Sequence, residues 1–187
     1  MNVFHPPELP DLAVLEPVVH HDPRGFLLET WHRTRYRDAG IPGPFVQDVH
    51  SQSKYGVLRG LHFQHPQSQG KIVRVTRGRV FDVAVDVRTG SPTFGRWWSL
   101  ELSEDDRRQL WIPPGFAHGF LTLSDVADVE YRCTEYYSAD AARSLAWNDP
   151  VIGVRWPIST PILSPADERA APLAELERGG LLPEHSA

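Results

Sequence analysis

The apolar residues of this chain come in short runs, and the clearest of these end at proline, glycine or charged turns. Seventeen prolines and 14 glycines are spread through its 187 residues. Proline removes a backbone donor and fixes φ, and glycine favours turns, so few windows can hold a long helix. Short strands joined by turns remain. Residues 80–87, VFDVAVDV, alternate most cleanly: Phe81, Val83, Val85 and Val87 are expected to face a core, with Asp82, Ala84 and Asp86 facing away. Further strands are expected at 12–19, 26–30, 45–53, 71–75, 96–102, 109–112 and 126–137. Short helices are expected at 31–39, closed by Gly40, and at 172–178. The pattern indicates an all-β fold, a jelly roll or β-sandwich barrel with a few short helices. One domain over 1–187 is expected, with its core near 12–167 and an irregular, acidic tail at 168–187.

Composition narrows the function classes. A net charge of −5 argues against a broad basic face for nucleic acid. An anionic ligand would have to be held by a local cluster of Arg and Lys. The single cysteine, Cys133, allows no intrachain disulfide, so a reducing, cytoplasmic setting is expected. The opening MNVFHPPELPDLAVLEP lacks the basic segment and apolar run of a signal peptide, and no apolar stretch is long enough to cross a bilayer. The His20–His21 pair reads as part of a solvated turn with Asp22, Pro23, Arg24 and Gly25.

Chemistry concentrates in residues 56–78, GVLRGLHFQHPQSQGKIVRVTRG, which hold Arg59, His62 and Lys71 among β-type runs. An imidazole ordinarily titrates near neutrality and can serve as a general base. A proton on carbon needs more: the enolate must meet positive charge, for which Lys71 is the candidate. Inversion also needs an acid on the opposite face. Tyr131 either supplies it from an inward strand face or is a core tyrosine with a satisfied hydroxyl.

Gly56-x5-His62 and Pro113-x-Gly115-x-x-His118 resemble the two sequence marks of the cupin superfamily of β-barrels. Metal-binding cupins carry a second His two residues after the first and a Glu downstream; here position 64 is Gln64, and no Glu follows in that run. His62 and His118 alone make a poor cage for zinc or iron, with His65 a third donor only in unusual geometry. No metal and no cofactor are expected.

VLRGLHFQ, QGKIVRVTRGRVFDVAVDVR, SPTFG, IPPGFAHGF, YRCTEYY, WNDP and LSPAD follow one another in an order that resembles the dTDP-4-dehydrorhamnose 3,5-epimerase family over about residues 22–167. The resemblance implies a metal-free cupin jelly roll and a homodimer that exchanges strands. It implies epimerisation at C3 and C5 of a dTDP-4-keto-6-deoxyhexose. By that resemblance His62 is the base, oriented by Asp167; Tyr131 is the acid; Lys71 supports the enolate. Arg59 and Arg24 would hold the diphosphate, with Arg24 and Glu29 reaching in from the partner subunit. Gln47, Asp48, Val49, His118 and Arg143 would line the substrate site, and Tyr137 would stack on the base from the strand face that carries Tyr131. Three positions depart from the family pattern: Val49 in place of Asn, Ala142 in place of Glu, and Ala166 in place of Lys. They leave open an enzyme that inverts C3 alone, or a ketoisomerase. A non-catalytic nucleotide-sugar binding cupin is the reading from outside the enzymes.

Overall fold

The structure, a computed structural model, describes residues 1–185. Two antiparallel sheets face one another. The six-stranded sheet runs β1 (Asn2–Phe4), β2 (Ala13–Glu16), β10 (Gln109–Ile112), β7 (Lys71–Arg77), β12 (Val126–Cys133) and β5 (Gln47–Lys54). The five-stranded sheet runs β13 (Ala142–Ser144), β6 (Leu58–Gln64), β11 (Phe116–Thr122), β8 (Arg79–Asp86) and β9 (Trp97–Ser103). A separate hairpin pairs β3 (Val19–Asp22) with β4 (Gly25–Leu28). Three short helices complete the described residues: α1 (Arg33–Asp38), α2 (Pro165–Glu168) and α3 (Leu173–Arg178). This is the all-β, cupin-type architecture expected from the turn-rich sequence.

Strand alternation gives each sheet two faces, and packing uses both. Between the sheets lie Val73, Val75 and Val129 from one side and Val80, Ala84, Leu102, Phe116 and Phe120 from the other. Outside the five-stranded sheet, Leu61, Phe63, Val83, Val85, Val87 and Ala117 pack under Ile152, Leu173, Leu176 and Leu182. Outside the six-stranded sheet, Leu15, Ile72 and Trp111 pack with Tyr36 of α1 and Ile41. The C-terminal residues are therefore a cover. Its three leucines, Leu173, Leu176 and Leu182, hold it to the sheet by burial.

Three sequence-based expectations change. Asp82, Ala84 and Asp86 do not face away from the core: all three are fully buried. Each carboxylate meets its own partners. Asp82 accepts from His118, and Asp86 accepts from Arg88, Ser91 and Thr93. The strand expected at 12–19 breaks in two at Pro17, which has no N–H to give the ladder. The strand expected at 126–137 stops at Cys133, because Thr134 turns to exchange bonds with Gly70. Helix α1 begins at the His32 cap and is followed by Gly40 at φ +80°, as the sequence suggested.

One close approach fixes how β6 meets β11. A Cβ on Gly119 would stand 2.7 Å from the Arg59 carbonyl and 3.1 Å from the Gly60 Cα, and Gly60 itself has φ +124°. Only glycine lets these backbones meet, and the register shifts at this point. Gly119→Ala is accordingly expected to lower the unfolding free energy by about 1–3 kcal/mol in urea denaturation. Unchanged stability would contradict the close approach.

Candidate active site

The two sheets enclose a cavity of about 390 Å³ at one end of the barrel. Ser51, Lys71 and Tyr131 line it from the six-stranded sheet, and Leu58, Arg59, His62, His118 and Phe120 from the five-stranded sheet. Ile162, Leu163, Ser164 and Asp167 close one side. His62 and Tyr131 thus sit on opposed walls of a single space. Lys71 lies on the strand next to Tyr131, with Val73 of its own strand directly across from the phenol.

His62 Nε2 lies 2.6 Å from Asp167 Oδ1. An ionised carboxylate can only accept, so this contact keeps the proton on Nε2 and leaves Nδ1 of the neutral ring basic. Ser164 holds the carboxylate in place: its hydroxyl donates to Oδ2 at 2.8 Å and caps α2 by accepting the Asp167 N–H at 3.1 Å. Burial works to raise the Asp167 pKa. The bond and charge of His62, the Ser164 hydroxyl and the Gly60 N–H outweigh it and hold the carboxyl below its ordinary 3.8. The Ser-Pro-Ala-Asp run is a readable cap with proline in the first turn, and it could have placed Asp167 at a helix start.

His118 is the cross-strand neighbour of His62. Its Nε2 contacts both oxygens of buried Asp82, at 3.0 and 2.9 Å. Two imidazoles, each tied to its own carboxylate, therefore stand side by side. Burial pushes the Lys71 ammonium below its ordinary 10.5, against the opposing influence of Cys133 and Asp82. Burial, with Cys133, pushes the Tyr131 phenol above 10.0, while Arg59 works the other way. Arg59 donates to Ser53 Oγ at 2.9 Å and to the Gln52 carbonyl at 3.1 Å, which aims its guanidinium along the cavity edge.

Other expected site residues lie elsewhere. Asp48 sits on the outward face of β5, bound through both oxygens to Arg132 at 2.8 and 3.0 Å. That guanidinium lies 5.1 Å over the Trp31 ring, outside the barrel. Arg143 pairs with Phe63, whose face is the outer one, and donates to the carbonyls of Asp140 and Ala142. Tyr137 is not on the Tyr131 strand face: it follows the end of β12, is 63% exposed, and gives its N–H to Gln47 Oε1 at 2.8 Å. Val49 stands directly opposite Tyr131 on β5. Within one chain Arg24 pairs with Asp22 and Glu29 with Arg35, both on the surface and away from the cavity. Asp82 and Ser164 carry site geometry that reading the sequence did not assign.

The donor set does not suit a transition metal. Nε2 of each cavity histidine already faces a carboxylate, and no group of three or more His, Cys, Asp and Glu side chains converges among the described residues. Gln64 spends both amide hydrogens on the carbonyls of Gln67 and Tyr136.

Residues 6–175 match the family model for dTDP-4-dehydrorhamnose 3,5-epimerase. The chain is 51% identical over 174 residues to the protein of that name from Neisseria gonorrhoeae; the match takes in 92% of this chain and 53% of that one, so the chain spans about half the length of that relative. It is 50% identical over 181 residues to the dTDP-4-dehydrorhamnose 3,5-epimerase of Escherichia coli K12, covering 95% of this chain and 97% of that one. Among solved structures, the dTDP-6-deoxy-D-glucose-3,5-epimerase of Legionella pneumophila, in complex with dTDP-4-keto-L-rhamnose, superposes with a TM-score of 0.95 at 46% identity, covering 100% of this chain and 99% of that one. With its cupin barrel and its opposed imidazole and phenol, the chain belongs to the dTDP-4-dehydrorhamnose 3,5-epimerase family, a family of isomerases.

Proposed function

We propose that this protein epimerises a dTDP-linked 4-keto-6-deoxyhexose at C3 and C5. The carrying observation is that His62 and Tyr131 line one cavity from opposed sheets, with Lys71 beside them. The C4 ketone acidifies the hydrogens on both neighbouring carbons. His62 Nδ1 takes one of them, and the electron pair moves onto the C4 oxygen as an enolate. The Lys71 ammonium meets that charge. Tyr131 gives its phenolic proton to the opposite face of the same carbon and is reprotonated from solvent, while His62 releases the proton it took to solvent. The sequence repeats at the other carbon once the ring has turned. Arg59 suits the diphosphate because its planar fork binds phosphate oxygens in pairs. Diphosphate and base supply remote binding energy that positions the ring.

The same reading uses a second copy of the chain. Phe26 and Leu27 on the β3–β4 hairpin are 55% and 72% exposed, and Val18 beside them is 55% exposed. An apolar, projecting hairpin of this kind fits a homodimer in which it crosses to the neighbour. It would carry Arg24 and Glu29 to the neighbour's diphosphate. The buried lone thiol of Cys133 fits a reducing cytoplasm.

Deuterium wash-in tests the chemistry. Incubation with dTDP-4-keto-6-deoxyglucose in heavy water should place deuterium at both C3 and C5. Label at one carbon would mean a C3-only epimerase, and no label a binding module. Raising the pH tests the division of labour. Burial lowers the Lys71 pKa and raises that of Tyr131, and shifts in those directions make loss of the Lys71 charge the expected source of an alkaline limb. Tyr131→Phe should cut kcat by about 10²–10⁴-fold yet leave the midpoint of the alkaline limb where it was. A limb that vanishes with the phenol would reverse the assignment. Subunit mixing tests the exchange. Arg24→Ala and His62→Ala, each inactive alone, should regain activity when mixed, since a hybrid dimer contains one intact site. Persistent inactivity in verified hybrids would place Arg24 in its own subunit's site.

A further inference from the structure

Gln64 ends β6, two residues beyond His62, but it serves a different neighbourhood. It is 4% exposed and does not line the cavity. Its amide hydrogens go to the carbonyls of Gln67 at 2.9 Å and Tyr136 at 3.2 Å, and its oxygen accepts the Ser138 N–H at 2.8 Å. From the opposite sheet, Gln47 accepts the Tyr137 N–H at 2.8 Å. Two glutamines, one from each sheet, thus grip three consecutive residues. Just before them, Gln69 donates to the Glu135 carbonyl at 2.8 Å. Gln47 pairs across from Cys133, and Cys133 across from Lys71, so the gripped segment sits at the Lys71 end of the cavity.

The backbone here is held hard while its aromatic rings are left free: Tyr136 and Tyr137 are each 63% exposed. A buried amide that satisfies three backbone groups, two of them 72 and 74 residues away, orders a loop whose own rings bury little. That arrangement suits a surface prepared for a flat ligand. A loose segment would have to be ordered on binding, at an entropic cost that a held one has already met.

We propose that Gln64 is the positioning residue of the nucleobase platform, fixing the backbone from which Tyr137 presents its ring. The proposal rests on the reading of Tyr137 as the base-stacking residue. It makes Gln64 a determinant of affinity at the base end of the ligand, with no part in proton transfer.

Calorimetry on the full-length protein tests this with two probes, dTDP and inorganic pyrophosphate. Gln64→Met keeps the length and removes the hydrogen bonds; Gln64→Asn is the milder change should the first fail to fold. Tyr137→Ala removes the ring. Both Gln64 variants should weaken dTDP, by up to about tenfold for Gln64→Met, and pyrophosphate by less than about twofold, within what one aromatic–base stack contributes. KM for the dTDP-sugar should rise in parallel while kcat stays within about twofold of wild type. If Tyr137→Ala weakens dTDP but the Gln64 variants do not, the positioning role is overturned and the platform stands. If Tyr137→Ala leaves dTDP binding unchanged, the platform itself fails and the proposal with it. Equal losses for dTDP and pyrophosphate overturn the proposal too, since they mark a general disturbance of the site.

Discussion

Two backbones touch at Gly60 and Gly119 with no side chain between them, and the site follows from that contact. It sets β6 against β11 so that His62 and His118 are cross-strand neighbours. Alternation then turns both imidazoles inward, while Leu61 and Ala117 turn outward into apolar packing. The opposite sheet obeys the same rule. Val73, Val129 and Tyr131 share its inner face, and Tyr131 is where apolar filling gives way to the hollow end of the barrel. The cavity is therefore the unfilled continuation of the core.

Burial decides how the charged groups behave. Asp82 and Asp86 are fully enclosed, and each is surrounded by donors: one by an imidazole, the other by a guanidinium and two hydroxyls. A carboxylate in that position is tolerated because its partners are fixed with it. Lys71 is different. No hydrogen bond or ion pair to its ammonium appears among the described residues, and the cavity is where that charge is directed. A cation held without a fixed partner is well prepared to meet negative charge that forms only during a reaction.

Much of this was legible in the sequence. Short alternating runs between turns gave the strands, and the resemblance of the runs around His62 and His118 to cupin marks placed both in one barrel. The errors have physical causes. Alternation in 80–87 correctly separated two faces, but it could not tell that helix α3 and its neighbours cover one of them while the second sheet covers the other. The apolar and aromatic pattern of 126–137 runs past Cys133, yet pairing ends there because Thr134 bonds to Gly70 and the next residues are taken up by side-chain amides. Asp48 follows Gln47 in sequence and so points the other way, to Arg132. The work of Gln64 was not readable, since its partners Tyr136 and Ser138 lie 72 and 74 residues away.

Asp167 reaches His62 across 105 residues of chain, from a segment that follows the last strand of both sheets. During synthesis every strand of both sheets is therefore laid down before Asp167, the carboxylate bound to His62, leaves the ribosome. Until then the His62 ring has no carboxylate to fix its tautomer. That geometry waits on the docking of one short capped turn.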